Sequence, residues 1–450
     1  MPIDRRGFFQ TSLGTLAAGV LPGAASAGVV GAPKETLTVG VIGSGLRGQN
    51  HIRELVAQPG VSVTAIADID PEMVRMTREF FTKESLQQPT VYDQGPTDYR
   101  RLLAESGVDA VIIATPWRWH TEMATAAMRA GKYTGLEVGG AFSLEECWDL
   151  VRTHEETGTH LFFLENVCYR RDVMAVLNMV RQGMFGELLH LEGGYQHDLR
   201  EVKFNDGKSP YGNGVEFGPK AFHEARWRTQ HSQYRNGDLY PTHGLGPVAM
   251  MADINRGNRF VGLTSMATKS RGLHKYIVEH GGADHPNAQV DFALGDIVTT
   301  MLSTQNGETV VLHHDTNSPR PYSLGFRVQG TAGIWMDVNQ SLHLAGTSPA
   351  HQWEPAANYL EQYDHPYWQR DGEAAAGGGH GGMDYILAAD FVRVAKANVA
   401  PPIDVYDGAT WLAVTPLSEQ SVATGGSLQL FPDFTRGRWM DRAADFATAK

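Results

Sequence analysis

The feature that most restricts the fold is Leu37-Thr-Val-Gly-Val-Ile-Gly43-Ser-Gly45-Leu-Arg-Gly48, an apolar run that ends in G-x-G-x-x-G and opens into Gln49-Asn-His-Ile-Arg-Glu-Leu55. Val39, Val41 and Ile42 suit a buried pleated strand because β-branched residues fit that surface. The glycines then turn the chain into a helix. Gly43 permits the tight turn, Gly45 lets a pyrophosphate approach the backbone, and Gly48 lets helix and strand pack closely; the helix N-terminus presents free N–H groups to the anion. A second strand over 61–67 ends at Asp68, twenty residues after Gly48. A carboxylate there accepts hydrogen bonds from an adenosine ribose and repels a 2′-phosphate, which favours NAD over NADP.

From Leu37 to Asn166 the pattern stays β-α-β, so this part reads as a doubly wound parallel (Rossmann) domain over 37–166. Residues 108–114 form a near-continuous apolar run, as a buried parallel strand requires, and lead into Thr115-Pro-Trp-Arg-Trp-His120. Helices are expected over 121–130 and 144–158. Short strands are expected over 132–136 and 161–164, leading into Glu137-Val-Gly-Gly140 and Glu165-Asn166. Each loop falls at a strand end, where open α/β sheets place their ligands.

The first 27 residues read as a signal peptide outside the fold. Arg5-Arg-Gly-Phe-Phe9 precedes a mildly apolar segment and Ala25-Ser-Ala27, a small-residue cleavage pattern. The apolar part is too short for a stable membrane anchor. Paired arginines followed by Phe resemble the twin-arginine export signal, which carries folded proteins, so a periplasmic location is expected, with NAD bound before export. Residues 28–36 read as a linker. A net charge of −12 and no basic run argue against nucleic acid as a partner. The two cysteines, Cys147 and Cys168, allow one disulfide but no disulfide framework, so stability must come from the core.

The remainder, 167–450, reads as an α+β domain with an open, largely antiparallel sheet for substrate binding. A helix is expected over 173–181. Strands are expected over 188–191, 261–267, 297–303, 309–313, 322–329 and 333–338, with Asn306-Gly307 as a hairpin turn. Residues 344–379, rich in Gly, Ala and Pro, read as a long loop over the site. Helical periodicity returns over 405–424, where Trp411 is expected to be partly buried. An open antiparallel sheet can offer one face to a second copy of the chain, so a homo-oligomer is expected. Eighteen histidines invite a search for a metal site. His313-His314-Asp315 does not qualify, because neighbours on a strand point to opposite faces. No H-x-x-x-H helix or C-x-x-C pair is present, so no metal is expected.

The glycine fingerprint with Asp68, the Thr-Pro…His strand end, the Glu after the next strand and Gly330-Thr-Ala-Gly333 together resemble the Gfo/Idh/MocA family of NAD(P)-dependent sugar oxidoreductases. Longer motifs narrow the match. Gly45-Leu-Arg-Gly48, Pro116-Trp-Arg-Trp-His120, Glu165-Asn-Val-Cys-Tyr-Arg-Arg-Asp172, Gly194-Tyr-Gln-His-Asp198, Tyr240-Pro-Thr-His-Gly244, Asp253-Ile-Asn-Arg-Gly257 and Gly379-His-Gly-Gly-Met-Asp384 resemble glycoside hydrolase family 109. The founding activity of that family is α-N-acetylgalactosaminidase. Ordinary members of the wider family resemble Glu-Lys-Pro at the position where this chain has Glu137-Val138-Gly139. A valine cannot exchange a proton, which argues against a routine dehydrogenase.

The resemblance implies NAD as cofactor, with contacts from Gly43, Gly45, Leu46, Arg47, Gly48, Asp68, Trp117, Arg118, Trp119, His120, Glu137, Val138, Asn166, Tyr240 and His243. It implies substrate contacts from Tyr195, Arg228, Tyr240 and Tyr322. His243 is the expected base for a sugar C3 hydroxyl, since imidazole exchanges protons near neutrality. Tyr195 is the expected C2 base, provided that a neighbouring charge lowers its pKa. Transient oxidation at C3 acidifies C2, elimination expels the group at C1, water adds, and the hydride returns. The glycosidic bond is thereby hydrolysed without the paired carboxylates of most glycosidases. His380 and Asp384 are open between lining the site and supporting a helix start. The expected function is thus an NAD-dependent exo-glycosidase acting on terminal N-acetylhexosamine; the alternatives are a sugar dehydrogenase and a non-catalytic periplasmic sugar-binding protein that retains NAD.

Overall fold

The computed structural model describes residues 33–104, 107–139, 141–444 and 446. The expected signal peptide, most of the linker and Gly140 lie outside the described residues. Within them the apolar runs become β1 (Leu37–Ile42), β2 (Val61–Ala67), β3 (Thr90–Tyr92), β4 (Ala110–Ile113), β5 (Tyr133–Leu136) and β6 (Leu161–Phe163). They form one parallel sheet in the order β3-β2-β1-β4-β5-β6. The strand order reverses between β1 and β4, and the crevice beyond their carboxyl ends is where such sheets bind ligands.

The connecting helices carry local start signals. Asp70 caps the helix Pro71–Lys83 by accepting from the Glu72 N–H, with Pro71 at the first position. Ser143 and Glu146 form a reciprocal capping box on the helix Leu144–Thr157, and Gly158 ends it in the left-handed conformation.

The second half builds β7 (Leu188–Gln196), β8 (Phe260–Ala267), β9 (Ile297–Thr304), β10 (Thr309–Asp315), β11 (Arg327–Gly330), β12 (Gly333–Met336), β13 (Ser341–Leu344), β14 (Glu354–Pro355) and β15 (Gln429–Leu430). They form a nine-stranded sheet in the order β14-β13-β12-β11-β7-β10-β9-β8-β15. Only the β7–β10 pair is parallel; the other pairs are antiparallel. The hairpin at Asn306-Gly307 joins β9 and β10, and β9 alternates between exposed and buried residues along its length. One face of this sheet therefore packs and the other is open.

Four expectations change. The strand expected over 322–329 begins only at Arg327, because Gly325 bends the chain at φ +62° and a lone bridge pairs Ser323 with Gln196. β7 extends to Gln196, which puts Tyr195 on a strand. The segment 344–379 is not a loop over the site: it contains the helices Ala357–Gln362 and Pro366–Asp371. It packs against the helix Arg171–Arg181, with Asp364 on Arg171 and the Trp368 indole donating to the Tyr169 carbonyl. Trp411 is wholly buried at 1% exposure, because its helix Val405–Ala423 runs between the helix Leu144–Thr157 and β8.

The chain then crosses back. The helix Met383–Ala397 lies against the first sheet, where Phe391 fills the space left by Gly135 of β5. One continuous apolar core consequently spans both sheets. A smaller core, built on Phe204, Val215, Leu273, Tyr276 and Ile277, supports the segment that follows β7. Cys147 and Cys168 are both buried free thiols. No helix among the described residues is long and apolar enough to cross a membrane.

Candidate active site

The crevice between β1 and β4 opens into a cavity of ≈ 860 Å³ bordered by both halves of the chain, within the size range of cofactor and ligand sites. One end is lined by Asp68, Asp70, Tyr92 and Tyr99, the other by Tyr195, His243 and His380.

The glycine turn is built as its sequence requires. Gly43 has φ +90°, and a Cβ there would meet Ala114 and Thr115 at 2.8 Å. A Cβ on Gly48 would lie 1.9 Å from the Gly43 carbonyl oxygen, so only glycine allows the helix Leu46–Val56 to start so close to β1. Gly45 has nothing within 4 Å of a Cβ position and faces the cavity. The helix has no side-chain cap, so its first amides remain for an anion. Asp68 lines the same cavity and accepts from the Ser44 and Asp70 amides at 2.6 and 2.9 Å. Burial pushes its carboxyl upward, an effect that these donors oppose. An open cradle, an uncapped helix start and a carboxylate at the next strand end fit a dinucleotide.

Two expected cofactor contacts have a different principal task. Arg47 donates from Nε to Glu137 at 2.6 Å and from both terminal nitrogens to Asp384 at 2.9 and 3.2 Å. Glu137 also accepts from His51 at 2.6 Å, and Asn166 donates to Asp384 at 2.8 Å. Burial by itself would raise both carboxyls, but their cationic partners outweigh it and hold both well below the usual carboxylate range. Arg47 and Glu137 border the cavity, yet their charges are spent on joining the two halves. Asp384, left open by the sequence, is the buried anchor of that junction. His380 lines the cavity beside it and bonds Asp384 through Nδ1 at 2.6 Å. This bond raises its pKa above the ordinary histidine value, which favours the imidazolium.

Of the remaining expected contacts, Leu46, Trp117, Trp119, His120, Val138 and Asn166 line the cavity. His120 is clamped between the carbonyls of Gly139 and Thr115 at 2.9 and 2.7 Å, which ties together the loops after β5 and β4. Arg118 is not brought to the cavity; its guanidinium lies over the Trp119 ring at 4.9 Å. Gly139 has φ +82°, which a proline cannot adopt. A Cβ there would meet Trp117 at 2.8 Å and Tyr240 at 3.1 Å, and these two rings stack at 5.5 Å. The space beside Val138 is thus filled by aromatic rings.

At the far end, His243 begins the helix Thr242–Met251 at its second position and bonds Glu165 through Nδ1 at 2.7 Å. Glu165 is fully buried, and its second oxygen has no partner among the described residues. A buried carboxylate on Nδ1 fixes the tautomer and leaves Nε2 to exchange a proton. The Tyr195 ring lies 5.3 Å from the His243 ring and 4.7 Å from that of Tyr240. The expected lowering of the Tyr195 pKa is not met: burial raises it, and Arg228 only opposes that effect. Its hydroxyl instead shares a 3.2 Å hydrogen bond with His197 Nδ1. Burial lowers the His197 pKa, so a neutral ring is available to accept the tyrosine proton.

Arg228 lies against both Trp117 and Tyr240, 5.1 and 5.2 Å from their rings, with Glu224 as its ion-pair partner. Tyr322 does not line the cavity; it is 48% exposed, 4.8 Å from the His197 ring and 6.3 Å from that of Tyr195. Sequence reasoning assigned no role to Glu165, His197 or the turn at 223–227. Glu165 and His197 stood inside quoted motifs, but only folding shows which neighbours they meet. Among the described residues no group of three metal-ligating side chains gathers; His314 of the adjacent pair is buried and His313 is only partly so.

Two family models match the chain. Residues 37–164 match the oxidoreductase family with an NAD-binding Rossmann fold, and residues 169–441 match the glycosyl hydrolase 109 C-terminal domain. A glycosyl hydrolase family 109 protein of Stenotrophomonas maltophilia (strain K279a) is 51% identical over 450 residues, 99% of this chain and 98% of that one. An alpha-N-acetylgalactosaminidase of Tannerella forsythia is 51% identical over 415 residues, 91% of this chain and 89% of the other. Among solved structures, levoglucosan dehydrogenase in complex with NADH and L-sorbose superposes with a TM-score of 0.64 at 20% identity, covering 89% of this chain and 100% of that one. An inositol dehydrogenase homolog from Azotobacter vinelandii, complexed with NAD+, gives 0.63 at 18% identity, covering 89% and 98%. These structures share the fold.

Proposed function

Because the chain belongs to glycosyl hydrolase family 109, we propose that it is an exo-glycosidase that releases terminal N-acetylhexosamine, α-N-acetylgalactosamine foremost, with NAD held in the cavity and regenerated within each turnover. The observation that carries this reading is the meeting of Glu165–His243, Tyr195–His197 and His380–Asp384 at one end of the cavity that the glycine turn and Asp68 border, with no lysine beside Glu137. NAD, when bound, supplies a hydride acceptor for the sugar C3 and gives the hydride back. The chain's own residues do the rest. His243, oriented by Glu165, takes the proton of the C3 hydroxyl. Tyr195 gives its hydroxyl proton to His197 and takes the C2 proton in its place. His380, whose imidazolium is favoured by its bond to Asp384, donates to the departing oxygen at C1. Arg228 and Tyr240 present a guanidinium and an aromatic face to the sugar.

The 51% identity to an alpha-N-acetylgalactosaminidase supports the substrate class. The decisive experiment is a chromogenic glycoside panel on purified protein without added NAD, run in deuterium oxide. Sugar release with no net NADH and with deuterium at C2 of the product is expected. Accumulation of NADH in step with substrate would make it a dehydrogenase, and sugar binding without turnover would leave only a binding protein. The reading includes export of the NAD-loaded chain to the periplasm through the Arg5-Arg6 leader. Fractionation that finds the uncleaved chain in the cytoplasm would remove that part.

A further inference from the structure

The wall of the cavity opposite Asp68 comes from the segment after β7. His223, Glu224, Arg226 and Trp227 face Asp68, Asp70, Pro71 and Glu72 across the space. The stretch just before it contributes Phe204, Val215 and Phe217 to the satellite core, which is separate from the core shared by the two sheets, and the Asn205 side chain ties Phe222 to that stretch, donating to its carbonyl at 2.8 Å and accepting from its amide at 3.0 Å. The wall is thus anchored apart from the core that the two sheets share.

Its two ends are held differently. At the inner end, Trp227 and His231 pack against Trp117 at 5.2 and 4.9 Å. His231 also lies 5.4 Å from Phe142, and Arg235 covers the Phe142 ring at 4.5 Å. At the outer end, the Arg226 guanidinium reaches across the cavity to Asp70, with Nη1 2.8 Å from Oδ2. The turn that carries it is held by the Arg226 Nε bond to the Ala221 carbonyl at 2.9 Å, and it contains a non-glycine left-handed residue, His223, at φ +49°. Strained backbone beside a cavity marks a segment whose position is used. The segment is thus packed on aromatic rings at one end and held by an ion pair at the other.

We propose that residues 218–227 are a gate over the adenosine end of the cavity, latched by Arg226–Asp70, and that this latch retains the dinucleotide between turnovers. The proposal rests on the NAD-regenerating reading, in which release of the dinucleotide is not a step of the reaction and a closed gate costs no turnover.

The test measures exchange of bound for radiolabelled NAD on the full-length loaded protein. Arg226→Ala removes the guanidinium. Asp70→Asn removes the charge but keeps an Oδ1 acceptor for the Glu72 amide that caps the following helix. A half-exposed ion pair supports an acceleration of up to about fivefold. Both variants are expected to release and take up NAD about that much faster, and the double variant no faster than either. In 1 M NaCl, which screens exposed charges, the unaltered protein should reach the rate of Arg226→Ala, which itself should not change. Unchanged exchange in both variants overturns the gate. So does faster release in Arg226→Ala alone, which would make Arg226 a direct nucleotide contact. A protein that takes up no NAD under any condition removes the parent reading and the gate with it.

Discussion

Glu165 and His243 are separated by 78 positions, yet one part-buried hydrogen bond at 2.7 Å engages Nδ1 and decides that Nε2 is the nitrogen left free. Glu165→Gln keeps the shape but removes the charge that fixes this tautomer. The expected result is a fall in kcat of about 10²–10⁴-fold, with NAD content per chain unchanged, checked by steady-state kinetics and by absorbance of released cofactor. An unchanged kcat would remove His243 as the base. His243 was legible as a candidate because the Tyr240-Pro-Thr-His243 motif marks it. Its partner was not, because no local pattern says which carboxylate will lie beside it.

Among the connecting elements, the loop after β5 departs most from the ordinary oxidoreductase pattern. Gly139 at φ +82° lets this loop pass beneath the stacked Trp117 and Tyr240 rings. Gly139→Ala adds a methyl group 2.8 Å from the Trp117 indole and keeps a backbone conformation that L residues avoid. The expected cost is about 1–3 kcal/mol of stability, with KM for the sugar rising as Tyr240 is displaced. A urea titration with paired kinetics checks both. The β-α-β part was readable because each apolar run and each cap is a local signal. The helix Thr242–Met251 escaped notice, and of Met383–Ala397 only a start near Asp384 was offered, for a physical reason. Each is buried on nearly every side, so neither shows the polar face that gives amphipathic periodicity.

For the whole molecule, the Arg47 network is the junction on which the site depends. Arg47→Met leaves Glu137 and Asp384 as buried charges short of a partner, and a loss of about 3–5 kcal/mol is expected in chemical denaturation. The pH dependence follows from the same geometry. Both carboxyls are held below their ordinary values near 4, so the unfolded chain takes up protons before the folded one does. Their contribution is fully present above about pH 4 and declines as the pH falls below it. Acid unfolding of Arg47→Met should therefore be less steep. The open sheet face carries Ile297, Met301, Met266 and Leu430, at 39%, 51%, 70% and 79% exposure. A second copy of the chain is the occupant expected there, and Met301→Lys should lower its apparent mass in size-exclusion chromatography. A monomer mass for the unaltered protein would end that expectation.

The amino-acid order alone determined the nucleotide-binding half, because strand, glycine turn and acidic strand end follow within some thirty residues and each acts on its neighbours. It also pointed to Tyr195, Arg228, Tyr240 and His243 through motifs. What only the tertiary structure decided is how charges at distant positions pair: Arg47 with Asp384, His243 with Glu165, Arg226 with Asp70. Their electrostatics depend on distance and burial, and neither exists until the second half of the chain folds back across the end of the first sheet.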